Sequence, residues 1–115
     1  MPVTIYHNPR CSKSRQTLQL LHDKGIEPEI VEYLKTPPDA ETLSGLLKML
    51  GLTPRELMRR KEAAYKDNAL DDDSLDETAL IAGMVANPVL IERPIVVKGG
   101  KAALGRPPEA VLDIL

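Results

Sequence analysis

The sequence has one cysteine, Cys11, and neither phenylalanine nor tryptophan. A single cysteine excludes an intrachain disulfide, and with only two separated histidines it does not favour a structural zinc site. The absence of Phe and Trp predicts a core made mostly of aliphatic side chains. Any redox chemistry at Cys11 must therefore use a thiol from another molecule, and we expect no bound metal or cofactor.

The sequence also lacks a charge excess and long apolar runs. Fifteen Lys and Arg against seventeen Asp and Glu give a formal net charge of -2, which does not favour a nucleic-acid partner. No apolar run is long enough to span a bilayer, and the first residues do not resemble a secretory signal. No long apolar heptad pattern is present either. We therefore expect a cytoplasmic monomer with no membrane partner.

Local patterns predict an α/β fold. Residues 3–6 and 29–34 are typical of strands, and a helix is predicted between them from Ser12 to about Lys24, which together suggest a parallel βαβ unit. Near the end, Gly99-Gly100 separates two apolar segments and predicts a tight antiparallel hairpin. A last helix is predicted after Gly105. These elements predict a four-stranded mixed sheet.

The middle of the chain, at about residues 39–87, is predicted to be wholly helical. Its helices include one that begins at Thr53, where a proline and a capping-box glutamate follow, and that carries Arg59. The length of 115 residues fits one domain, so we expect this segment to be a helical insertion within a single domain at 1–115.

Cys11 lies between the first predicted strand and the first predicted helix. Backbone N–H groups and the positive end of a helix dipole favour a thiolate there, and the nearby Arg10, Arg15 and His7 are expected to lower its pKa further. The hydroxyl of Ser14, in the pattern C-x-x-S, is a candidate donor to the thiolate. The alternative is that Cys11 is only a small buried apolar residue.

Three arginines occur in distinctive settings. Arg59 lies in Leu-Met-Arg-Arg-Lys, Arg93 precedes Pro94 and an apolar strand, and Arg106 lies in Gly-Arg-Pro. Each is, by itself, typical of a solvated surface charge. Arg93 and Arg106 adjoin the predicted strands, however, and the guanidinium fork suits a tetrahedral oxyanion.

Taken together, three motifs resemble the glutaredoxin-coupled arsenate reductase (ArsC-like) family along essentially the whole chain. They are Tyr-His-Asn-Pro-Arg-Cys-x-x-Ser-Arg from Tyr6, Glu-Arg-Pro-Ile-Val-Val from Glu92 and Gly-Arg-Pro-Pro-Glu from Gly105. The resemblance implies a thioredoxin-like fold with a helical insertion. It also implies a cis peptide bond between Arg93 and Pro94.

The resemblance further implies a mechanism. Cys11 matches the thiolate that attacks arsenate, His7 matches a residue that helps to lower its pKa, and the oxyanion is held by Arg59, Arg93 and Arg106. Glutathione is the co-substrate: it attacks the adduct, glutaredoxin resolves the mixed species, and arsenite leaves. Ser12-Lys13 departs from the small residues found in the best-known members and resembles a Cys-Ser-Lys-Ser-Arg sub-branch. Lys13 adds positive charge at the pocket, which favours anion binding or alters the shape of the pocket.

Two other functions stay open at this stage. The first is a glutathione-dependent thiol oxidoreductase that acts on another substrate, because arsenate and phosphate share shape and charge. The second is an Spx-like redox regulator that binds RNA polymerase. Such regulators resemble the same fold but use C-x-x-C as a switch, and Ser14 removes the partner thiol. The arsenate reductase is the favoured hypothesis.

Overall fold

Four strands form one mixed sheet in the computed structural model, which describes residues 2–115. The strands are β1 (Val3–His7), β2 (Glu29–Glu32), β3 (Ile95–Lys98) and β4 (Lys101–Leu104), in the order β2-β1-β3-β4. Strand β1 runs parallel to β2 and antiparallel to β3, and β3 pairs antiparallel with β4. The predicted mixed sheet and its hairpin are confirmed.

The chain divides into two units, and the sheet belongs to the first, which comprises the residues up to Thr36 together with Arg93–Leu115. Helix α1 (Ser12–Asp23) connects β1 to β2. The predicted last helix differs in type, because Pro108–Ile114 forms a 3-10 helix. Two prolines at its start, Pro107 and Pro108, lack the N–H groups that an α-helical ladder uses.

The core of this first unit is mostly aliphatic, as predicted, and includes one fully buried aromatic side chain, Tyr33. Side chains alternate along β1, so that its odd-numbered residues face inward. The buried cluster comprises Val3, Ile5, Leu21, Val96 and Val111. This packing holds α1 and the 3-10 helix against the sheet. It also fixes the position of the loop that connects the end of β1 to α1.

The second unit, Pro37–Glu92, is helical in the part of the chain where helices were predicted. Its elements are α2 (Ala40–Leu50), α3 (Pro54–Leu57), α4 (Ala63–Asp67), α5 (Glu77–Ala86) and a 3-10 turn at Pro88–Leu90. Side-chain caps begin three of these helices, at Asp39, Thr53 and Asp76. Within residues 2–115, none of the helices has the length and apolar character needed to cross a membrane.

The prediction that the helix from Thr53 carries Arg59 is wrong. Helix α3 ends at Leu57, and Met58 forms an isolated antiparallel bridge with Ile91. The Arg59 N–H donates to the Leu90 carbonyl at 2.7 Å, and the Glu92 N–H donates to the Leu57 carbonyl at 3.0 Å. These long-range bonds satisfy the backbone in an extended form, so the helix does not continue.

Candidate active site

Cys11 is the capping residue at the N-terminus of α1. Its backbone is extended, with φ -91° and ψ 124°, and its N–H donates to the Asn8 carbonyl at 3.0 Å. The side chain is buried, with 9% of its surface exposed. The sulfur therefore lies beside the free N–H groups of the first helical turn, which have no partner within the helix.

The environment of Cys11 favours its thiolate. Burial raises the pKa of the Cys11 thiol, but this is outweighed by hydrogen bonds from the Ser14 N–H, the Arg93 guanidinium and the Lys13 N–H, and by the positive charge of Arg93. The net result is a pKa below the ordinary value for cysteine. Because the thiolate is the nucleophilic form, a lowered pKa makes the Cys11 sulfur more reactive at a given pH below its ordinary pKa.

Arg106 also reaches the sulfur. One of its terminal nitrogens lies 3.6 Å from Cys11 Sγ, and its Nε donates to the Arg93 carbonyl at 2.8 Å. The Arg93–Pro94 peptide bond is cis, as the resemblance implies, and the Arg106–Pro107 bond is cis as well, which the sequence analysis did not predict. Two arginines that are 13 residues apart in the chain thus meet at one cysteine.

His7 and Ser14 form a buried pair beside this loop. The Ser14 hydroxyl lies 2.7 Å from His7 Nδ1 and accepts a hydrogen bond from the Asn8 N–H at 3.0 Å. Burial lowers the pKa of His7, the carboxylate of Glu32 partly opposes this, and Arg15 lowers the pKa further. The lowered pKa favours the neutral ring, and the tautomer of that ring decides which partner donates in the bond between Ser14 and Nδ1.

Two observations bear on the predicted roles of His7 and Ser14, which stay predictions. The lowered pKa of His7 disfavours the charged form that would add positive charge near Cys11. The Ser14 hydroxyl is engaged with His7 and Asn8, and Ser14 reaches the sulfur through its backbone N–H. Both residues therefore lie at the site, but they act on the loop more directly than on the sulfur.

Arg59 belongs to the second unit. Its guanidinium pairs with the Glu92 carboxylate at 3.2 Å and with Glu62 at 3.3 Å, and its side chain is 25% exposed. Among the six predicted site residues, the other five lie in the first unit. The role of Arg59 in oxyanion binding stays a prediction.

Three residues of the site were not predicted. Asn8 holds the loop, because its carbonyl accepts the Cys11 N–H and its side-chain oxygen accepts the Arg10 N–H at 3.0 Å. Thr17 is fully buried on α1, and Gly105 lies directly against it. Asn8 could have been found from the sequence, because the Asn-Pro pair is a turn signal. The contact of Thr17 with Gly105 joins positions 88 residues apart and has no local signal in the sequence.

The fold and the site define a thioredoxin-like protein with a cysteine of lowered pKa at the start of its first helix. The ArsC family model matches residues 6–114. The chain belongs to the ArsC family.

Relatives of known sequence match almost the whole chain. The uncharacterized protein YfgD of Escherichia coli (strain K12) is 64% identical over 114 residues, which cover 98% of this chain and 96% of that protein. A protein of Haemophilus influenzae named arsenate reductase is 48% identical and covers both chains completely. Among solved structures, an arsenate reductase from Vibrio cholerae has a TM-score of 0.97 at 54% identity, covering 100% of this chain and 98% of its own.

Proposed function

We propose that this protein is an arsenate reductase and that its nucleophile is the Cys11 thiolate. The observation that supports this most directly is the meeting of Arg93 and Arg106 at the Cys11 sulfur, with Arg106 at 3.6 Å. An oxyanion that binds to this pair lies within reach of the nucleophile. The family relatives named arsenate reductase, at 48% identity, support arsenate as that oxyanion.

The proposed reaction uses two external thiols. The Cys11 sulfur bonds to As(V) and one oxygen leaves as water; glutathione then forms a second sulfur–arsenic bond and a second water leaves. A glutaredoxin thiol attacks the glutathione sulfur, the bonding pair stays on arsenic, and As(V) becomes As(III). Water finally displaces Cys11 and releases arsenite. The two electrons come from the glutathione and glutaredoxin thiols, which are oxidised to their mixed disulfide.

The residues of the chain supply activation and charge stabilisation in this reaction. Arg93 and Arg106 neutralise the arsenate oxygens as negative charge develops during attack. The backbone N–H groups of Lys13 and Ser14 stabilise Cys11 as the attacking and later as the leaving thiolate. With one cysteine in the sequence, the reduction cannot end in an internal disulfide, which supports the external donors and a reducing, cytoplasmic location.

The test is arsenate-dependent NADPH oxidation coupled through glutathione, glutaredoxin and glutathione reductase. We expect Cys11→Ser to abolish activity. Arg93→Ala should lower kcat/KM by about 10- to 100-fold, because a hydrogen bond to a charged group contributes about 1.5–3 kcal/mol. Lys101→Ala is the control, because Lys101 is exposed and pairs with Lys98 at the end of β3 and β4 opposite to the end that adjoins Arg93 and Arg106. The same assay on Arg59→Ala tests the predicted role of Arg59.

One result would overturn the proposal. A folded native protein whose Cys11 alkylates readily but which consumes no NADPH with arsenate is not an arsenate reductase. Turnover of a glutathione mixed disulfide by that protein would then identify a thiol oxidoreductase. Co-purification with RNA polymerase would instead support the redox regulator.

A further inference from the structure

The backbone at Gly105 packs against α1 with no space for a side chain. A Cβ atom at this position would lie 2.7 Å from Pro94 Cγ and 3.1 Å from Thr17 Cγ2, and still closer to the Thr17 hydroxyl. Carbon atoms in ordinary contact are about 3.5–4.0 Å apart. Glycine is therefore needed here because the side chains of Thr17 and Pro94 occupy the space that a Cβ atom would fill.

The neighbours of Gly105 are themselves fixed. Thr17 is fully buried, and its hydroxyl donates to the Lys13 carbonyl one turn earlier at 2.8 Å. Pro94 is buried, and its carbonyl accepts the Gly105 N–H at 3.0 Å. Neither neighbour can move aside without breaking a hydrogen bond or leaving its packed position.

The contact between Gly105 and Thr17 joins the two segments that carry Cys11 and Arg106. Thr17 is on the helix that Cys11 caps, and Gly105 immediately precedes Arg106 in the chain. The Arg106 guanidinium makes two hydrogen bonds at the site. Its Nε donates to the Arg93 carbonyl, and one terminal nitrogen donates to the Cys11 sulfur. The closeness of residue 105 to α1 consequently limits how far Arg106 can lie from Cys11.

We propose that Gly105 and Thr17 are positioning residues, whose contact sets the 3.6 Å separation between the Arg106 guanidinium and Cys11 Sγ. The inference deepens the proposed function and rests on it for the part that concerns arsenate. An added methyl group at Gly105 pushes the loop away from α1 and carries Arg106 with it. The oxyanion then loses one of the two cations that meet at the nucleophile.

The first experiment compares Gly105→Ala with Gly45→Ala, a matched change on α2 where the new methyl group meets nothing within 4 Å. The readouts are the KM for arsenate and the rate of Cys11 alkylation by iodoacetamide as a function of pH. We expect Gly105→Ala to raise the KM about tenfold, which is less than the loss of a full charged hydrogen bond, and to move alkylation to higher pH. Gly45→Ala should change neither.

The second experiment distinguishes positioning from a merely structural role. If Gly105 acts through Arg106, then Gly105→Ala adds nothing to the KM or the alkylation profile of Arg106→Ala. Additive effects of the two substitutions would overturn the proposal. If Gly105→Ala fails to fold, Thr17→Val replaces it. Valine has a methyl group in place of the threonine hydroxyl, and this larger group widens the contact with Gly105 slightly. We expect Thr17→Val to raise the KM several-fold, and this rise must also vanish in the Arg106→Ala background.

The alkylation readout does not depend on arsenate. Suppose that the native protein reduces no arsenate, but that Gly105→Ala moves the alkylation profile only when Arg106 is present. That result refutes the proposed function and keeps the positioning role. An active reductase in which Gly105→Ala leaves both readouts unchanged refutes the positioning role alone.

Discussion

Replacing Ser14 by alanine should destabilise the fold while leaving the reactivity of Cys11 almost unchanged. The Ser14 hydroxyl is fully buried and is the partner of the Asn8 N–H, at 3.0 Å, and of His7 Nδ1, at 2.7 Å. Alanine removes both bonds. The hydrogen bond that Ser14 makes to Cys11 comes from the backbone N–H, which alanine retains.

The size of the effect follows from the two groups left behind. A buried polar group without its partner costs about 1–3 kcal/mol. We expect Ser14→Ala to lower the free energy of unfolding by about 2–4 kcal/mol, which is a large part of the roughly 5–15 kcal/mol of a typical domain. With a denaturant slope of about 2 kcal/mol/M, the urea midpoint falls by about 1–2 M.

Urea unfolding followed by circular dichroism measures the stability, and the pH dependence of iodoacetamide alkylation measures the thiolate. Ser12→Ala is the control, because Ser12 is exposed at the first position of the same helix, and its effect should stay within about 0.5 kcal/mol. A stable Ser14→Ala protein whose alkylation moves to higher pH would refute the reasoning. That result would show that the hydroxyl serves the sulfur directly, as the sequence analysis first suggested.

Further predictions concern ionisation and the helix ends. Because the folded-state pKa of Cys11 is lowered, its ionisation stabilises the fold above the unfolded pKa of about 8.5, and this contribution is lost as pH falls through the folded pKa. The stability of the native protein minus that of Cys11→Ser should rise with pH across that window, and a flat difference would contradict it. Gly51 ends α2 with φ 68°, so Gly51→Ala should cost about 1 kcal/mol in thermal unfolding, whereas Gly45→Ala within the same helix should gain about 0.5–1 kcal/mol. Thr53→Ala removes one side of the capping box with Glu56 and should cost about 1 kcal/mol by urea titration; no loss would show that the box is dispensable.

The elements that could be predicted from the sequence are those with strong local signals. The short strand pattern at residues 3–6 and the Gly99-Gly100 turn defined their segments, and the proline and glutamate after Thr53 marked the start of α3. The end of α3 could not be predicted, because the chain leaves the helix to pair Met58 with Ile91, 33 residues later. A local pattern carries no information about such a partner.

The residues of the candidate site also differ in whether a local signal in the sequence could predict them. Cys11 was predicted from its place between a strand and a helix, a local property. The proximity of Arg93 and Arg106 to Cys11 was suggested only by their places at the ends of predicted strands and by the family resemblance, because they are more than 80 residues from it. The bond between Ser14 and His7 competes with the expected bond from Ser14 to the sulfur, and only the geometry of the folded loop decides between them.

The Cys11 sulfur receives two of its donors from the main chain, at Lys13 and Ser14, while the side chains of Ser12 and Lys13 are exposed. Substitutions at positions 12 and 13 therefore leave these two donors in place. The charge and shape of the surface next to the sulfur can therefore be altered by substitution while the main-chain hydrogen bonds that favour the thiolate are kept. Specificity and reactivity at this site thus depend on different parts of the same short segment: side chains for the first, main chain for the second.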